Sequence, residues 1–228
     1  MIEPRKWVAD ALAGLRKIFG SRLLYLGLQG SYRRGEATEA SDIDLVTILD
    51  QVSLDDLDAY RAVVRGLPEG EKACGFFCGR KEFYHWPRHE LFPFKMDTDD
   101  YHGRLDDYLP PISSDDIREG ARISLSSLIH LLTHSYLYAE PGARPEILKD
   151  SYKAAFFVIQ VLSYLSDGVY GRSKSELLGR LTGTEREIVS AGLDFRAWLA
   201  VRSEKQAYEM LFNWCCGRLT GDQIQTEA

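Results

Sequence analysis

Three observations in this 228-residue sequence predict an α+β fold, a small mixed sheet flanked by helices and followed by an all-α helical bundle. Short, continuous apolar runs of strand length occur before about residue 110. Helical periodicity dominates after it. A Pro-Pro step inside a Ser- and Asp-rich stretch, DDYLPPISSDD, separates the two regions. The expected division is residues 1–110 and 111–228.

The elements follow in order. Trp7, Val8, Ala11, Leu12, Leu15, Ile18 and Phe19 recur at helical spacing, which predicts an amphipathic helix stopped near Gly20. LLYLGL at 23–28 and IDLVTIL at 43–49 have the length and composition of strands buried on both faces. Leu54, Leu57, Ala62, Val63 and Leu67 predict a second helix ended by Pro68, and ACGFFCG a third strand. LFPFKMD, from Leu91 to Asp97, reads as a fourth strand, with Pro93 placing it at an edge or bend.

Past the junction, Ser113, Ser114, Asp115 and Asp116 supply N-cap and first-turn acids for a helix through Tyr138. Pro145 opens another, running to Leu165 and stopped at Asp167-Gly168. SKSE at 173–176 and TERE at 184–187 have capping-box spacing. Asp194 is expected to cap a final helix reaching Cys216-Gly217. No internal repeat or low-complexity tract interrupts this order.

Composition excludes several classes. With 45% hydrophobic residues the chain can bury a real core. A formal charge of -6, from 28 basic and 34 acidic residues, provides no basic field for nucleic acid or anionic lipid. A cationic small substrate is the easier partner. Cys74, Cys78, Cys215 and Cys216 do not have the spacing of paired zinc knuckles, and buried reduced thiols are expected. No stretch approaches the ~20 apolar residues of a membrane span, and the N-terminus has no targeting pattern, so a cytoplasmic location is expected. A homodimer is left open.

The chemistry concentrates in GSYRRGEATEASDIDL at 30–45, which joins the first two apolar runs. On a strand Asp42 and Asp44 share a face, about 6.5–7 Å apart at ~3.3 Å per residue. Two carboxylates so placed suit a hard divalent cation that also binds phosphate oxygens. Gly30 permits close backbone approach to a polyphosphate, and Ser31 offers a hydroxyl and amide at an expected helix N-terminus. Arg34 is placed to neutralise phosphate charge or brace the turn, and Gly35 lets the chain leave.

This pattern of Gly30, Ser31, Arg34, Gly35, Asp42 and Asp44 resembles the signature of the DNA polymerase beta-like nucleotidyltransferase superfamily, in its minimal nucleotidyltransferase form. The resemblance spans roughly residues 20–105. It implies Mg2+- or Mn2+-dependent transfer of a nucleoside monophosphate from an NTP, with ATP expected, to an acceptor, releasing pyrophosphate. It also implies a third carboxylate that binds metal or accepts the proton of the attacking hydroxyl. Asp97, at the end of an apolar run, is chosen over Asp99 and Asp100. The metal set is then Asp42, Asp44 and Asp97, and the nucleotide set is Gly30, Ser31 and Arg34.

A nucleotidyltransferase domain followed by helices resembles aminoglycoside-type enzymes, so the expected acceptor is a small molecule such as an aminoglycoside-like antibiotic, with the helical domain helping to form its site. Protein nucleotidylation by an antitoxin-like partner and a non-catalytic nucleotide sensor are the alternatives. The only Arg/His pair with ribonuclease-like spacing, Arg80 and His85, lies in the N-terminal region, and Arg122 and His130 are too far apart. His130 and His134, at i and i+4, are expected to pack or line a polar surface. Most of Tyr136, Tyr138, Tyr152, Phe156, Phe157 and Tyr164 are expected in the bundle core.

Overall fold

The computed structural model describes residues 2–221. The chain divides into two compact units, Met1–Ile112 and Ser113–Ala228. Among the described residues no helix is long and apolar enough to cross a membrane.

In the first unit α1 (Pro4–Phe19) leads into β1 (Leu23–Gln29), the short α2 (Gly30–Arg34) and β2 (Ile43–Leu49). Then come α3 (Leu54–Arg65), β3 (Ala73–Gly79), α4 (Arg80–Tyr84), α5 (Arg88–Met96) and β4 (Asp99–His102). The four strands form one mixed sheet in the order β3-β2-β1-β4. β1 runs antiparallel to both β2 and β4, while β3 runs parallel to β2.

Apolar residues on both faces explain why the strand sequences are nearly continuous rather than alternating. On one face Leu26, Leu28, Ile43 and Leu45 pack with Val8, Ala11 and Leu15 of α1 and Val64 of α3. On the other, Tyr25, Val46, Ile48 and Cys78 pack with Phe83, Leu91 and Leu105. Gly75 adopts φ +119°, and a Cβ there would lie 2.0 Å from the Leu45 carbonyl oxygen. Only glycine allows β3 to approach β2 this closely.

The segment LFPFKMD is a correction to the sequence reading: it is the second half of helix α5, not a strand. Its apolar run is too short for periodicity to separate the two states. Tertiary packing decides, with Leu91 buried against the sheet and Phe94 set against Phe76 and Phe83, centroids 5.0 and 5.6 Å away. Pro93 is tolerated near the helix end, and the Asp97 amide donates to its carbonyl at 2.9 Å.

The second unit contains α6 (Ser114–Tyr138), α7 (Arg144–Asp167), α8 (Lys174–Leu178), α9 (Gly183–Ala191), α10 (Phe195–Ala200) and α11 (Glu204–Thr220). Ser113 and Asp116 form a reciprocal capping box on α6, as the sequence predicts. The core draws Leu125, Leu128 and Leu132 from α6, Tyr152, Phe156 and Ile159 from α7, and Leu211 and Trp214 from α11. Tyr136 and Tyr138 are exposed instead, Tyr136 lying against Tyr208 at the edge of the core, and His130 and His134 are exposed on α6.

Two cap assignments also change. α9 starts from Thr182, two residues before the expected Thr184. Asp194 caps only the short α10, because Ser203 and Gln206 form a separate capping box that starts the last helix afresh. All four cysteines are free, but only Cys78 and Cys215 are buried; burial pushes each of their thiols up to about 12. Cys74 is exposed.

The turn before β1 is tied to α3 through Arg22, which donates to both Asp56 oxygens at 2.8 and 2.9 Å and to Asp50 at 3.1 Å. Asp56 also completes the capping box with Ser53. Hydrogen bonds from Arg22, then from Ser53, hold the Asp56 carboxyl well below its ordinary range. A carboxyl depressed by folding stabilises above its unfolded pKa and loses that contribution as pH falls. Thermal melts across the acid range should therefore show the wild type losing stability as pH drops below about 4, the unfolded carboxylate value. Asp56→Asn should start lower and show a shallower slope; an unchanged slope would remove Asp56 from the acid response.

Candidate active site

The antiparallel pairing of β1 with β2 places Gln29 opposite Asp44. On the other side Asp44 is paired with Cys74 of β3. Asp42 precedes β2 and is exposed, Asp44 is half-buried, and the intervening Ile43 is fully buried. Strand alternation thus sends the two carboxylates out of the core together, anchored by the isoleucine between them.

α2 begins directly after Gln29. Gly30 has φ +74°, and a Cβ on it would lie 2.0 Å from an Asp44 carboxylate oxygen. Glycine is required there by the aspartate as much as by the backbone angle. The first-turn amides of α2, Ser31 among them, lack intrahelical acceptors, an arrangement that favours anions. Gly35 ends the turn in the left-handed region, with its amide donating to the Ser31 and Tyr32 carbonyls.

Gly30, Ser31, Asp42 and Asp44 are thereby brought together at one end of the sheet. Among the described residues no three His, Cys, Asp or Glu side chains group as a metal site. The two carboxylates nevertheless fit a hard cation such as Mg2+, which typically takes one or two protein carboxylates and completes its shell with phosphate oxygens and water.

Arg34 and Asp97 meet each other. Asp97 follows α5 as its C-cap and does not project from the end of an apolar strand; β4 begins two residues later at Asp99. One Asp97 oxygen accepts from Arg34 Nη1 and the other from Arg33 Nη1, the latter at 3.3 Å. Arg33 also donates to Asp99 at 3.2 Å and to the Met96 carbonyl at 3.0 Å, and Arg34 to Glu36 at 3.3 Å. Burial pushes the Asp97 carboxyl above its ordinary range, and Arg34 and Arg33 pull it back. Asp100 accepts from the Tyr25 hydroxyl at 2.7 Å, under which only a glycine, Gly27, fits.

Arg33, Gln29, Tyr25 and Cys74 escaped the sequence reading. Arg33 sits beside a motif arginine and carries no pattern of its own. Gln29 was legible as a polar residue closing an apolar run, but its pairing with Asp44 required the register. Elsewhere, Trp86 packs edge-on to Phe76 at 5.1 Å and donates to Glu90, which accounts for it as a surface anchor.

Gly30→Ala and Gly35→Ala separate the two demands on this turn. Both residues have positive φ, but nothing lies within 4 Å of a Cβ at Gly35. In urea unfolding Gly30→Ala should cost at least about 1 kcal/mol more than Gly35→Ala, the difference being overpacking against Asp44. Adding Asp44→Ala should recover part of that difference.

Residues 12–82 match the family model of the nucleotidyltransferase domain, which covers the turn and both aspartates and stops short of Asp97. No curated protein matches the chain. Among solved structures it is similar to the spectinomycin adenyltransferase AAD(9) from Enterococcus faecialis, crystallised with ATP and spectinomycin. That likeness has a TM-score of 0.56 at 14% identity and covers 94% of this chain and 98% of the other, which is evidence of fold alone. The turn and the carboxylate pair both fall inside the matched segment, so residues 12–82 are similar to a nucleotidyltransferase domain in family pattern as well as in fold.

Proposed function

We propose that the protein adenylates a small-molecule antibiotic, using ATP as donor and releasing pyrophosphate. The observation that supports this reading is the seating of Gly30 against Asp44, which sets the turn taken here to bind phosphate against one of the two carboxylates taken to bind metal. A binding module would need the turn but not both carboxylates.

In this reading the amides at the start of α2, with the Ser31 hydroxyl, hold the phosphates that leave. Asp42 and Asp44 are the residues that would hold Mg2+ or Mn2+, which when bound would supply charge neutralisation at the phosphate oxygens for attack by the acceptor hydroxyl on the α-phosphorus. The negative balance of the chain favours a cationic acceptor. Spectinomycin, present with ATP in the structural neighbour, is the first candidate. Asp97 would take the hydroxyl proton at the cost of the charge that draws Arg33 and Arg34 to it.

Incubation with ATP labelled at the α-phosphate, Mg2+ and a panel of antibiotics including spectinomycin tests the reading. The expected result is labelled antibiotic and stoichiometric pyrophosphate. Asp42→Asn and Asp44→Asn should each lower the rate by about 10^2-fold or more, the scale of losing a charge-stabilising group. ATP binding without pyrophosphate from any acceptor would overturn the reading in favour of a sensor. Label on the protein itself would point to protein nucleotidylation.

A further inference from the structure

A cluster of well-buried charges lies just behind the glycine-serine turn. The Arg33 side chain is 2% exposed, that of Arg34 7% and that of Asp97 14%. These guanidiniums approach from consecutive positions of α2 and take one oxygen each of the same carboxylate. Asp99 accepts from Arg33 and Glu36 from Arg34, while Asp97 accepts from both.

We infer that Asp97 is a positioning residue, which with Arg33 and Arg34 locks the phosphate-binding turn to the start of β4, and that it is not the proton acceptor. The inference rests on the nucleotidyltransfer reading for its functional meaning. α2 has five residues, too few to hold a helical shape or direction by its own hydrogen bonds. Its direction is fixed from outside, with Tyr32 buried in the core on one side and the two arginines drawn to Asp97 on the other. Gln29 strengthens the same joint from β1 by donating to the Phe94 carbonyl at 3.1 Å, and Thr98 donates to that carbonyl at 2.6 Å.

Loss of Asp97 would leave two buried cations short of a shared partner, so the turn would shift to find solvent or other acids. A general base needs a lone pair free to receive a proton in reach of the acceptor. Each Asp97 oxygen already accepts from a guanidinium, and a proton added to the carboxyl would remove the negative charge that draws both arginines to it. The same contacts direct Arg34 inward, so its part in holding nucleotide is to aim the Gly30-Ser31 amides.

Asp97→Asn, Asp97→Ala, Arg34→Ala and the Asp97→Ala/Arg34→Ala double variant test this, with thermal melting used to confirm folding. ATP affinity by titration and the pH profile of kcat are the readouts. Asp97→Asn should weaken ATP binding by about tenfold, a typical coupling for a network pair, while kcat stays within a few-fold and keeps its acid limb. The double variant should bind ATP no worse than the poorer single variant. A kcat reduced about 10^2-fold or more with ATP affinity unchanged and the acid limb gone would make Asp97 the base and overturn the inference. Additive losses of ATP affinity in the double variant would also overturn it. Should no acceptor be adenylated, the affinity cycle still decides the lock, so its failure is distinguishable from failure of the functional reading.

Discussion

The register of β1 on β2 is the constraint on which the site depends, because it alone decides that Gln29 stands opposite Asp44 and that Gly30 meets its carboxylate. Strand side chains have a period of two, so a slip of one residue would send Asp44 to the core face and bring Leu45 out. Several features hold the register against such a slip. Ile43 and Leu45 are both fully buried on one face, and Val46 and Ile48 on the other. Arg22 pins the far end of β2 through Asp50, and Gly75 lets β3 fit closely against Leu45. A core built for packing thereby sets the spacing of charges at its edge.

The first three strands and the turn between β1 and β2 were legible because their signals are local. A continuous apolar run bounded by glycine marks a buried strand, and Gly30, Ser31, Arg34, Gly35, Asp42 and Asp44 lie within sixteen consecutive residues. The fourth strand was misplaced because LFPF fits a strand and a helix equally well, and the deciding partners, Phe76 and Phe83, are supplied by other elements. The error carried into the site. Asp97 was chosen as the end of a strand, whereas it is the end of a helix held by two arginines, one of which no motif singles out.

In the helical unit, caps were readable where side chains reach their own helix and unreadable where two candidates compete. Ser113 has one helix to start. Asp194 and Ser203 each start one, and only the break between α10 and α11 shows that both caps are used. The aromatic residues follow a similar rule. Tyr152 and Phe156 sit on the α7 stripe that faces the core, while Tyr136 lies half-exposed at its margin against Tyr208 and Tyr138 is exposed despite its composition. Helical residues are buried by angle around the axis rather than by type.

The ionic joint through Asp97 divides the site into a part joined by contacts close in sequence and a part joined across a long stretch of chain. The turn and the carboxylate pair belong to neighbouring strands of one short antiparallel ribbon, a local structure that closes a small loop. Arg34 and Asp97, by contrast, are 63 residues apart in sequence, and their meeting requires α3, β3 and α5 to be in place. The helix that completes the joint ends fourteen residues beyond the segment that carries the family pattern, at Met96 against Glu82. Truncation near the end of that pattern would leave the residues of the site in the chain but remove what orients them.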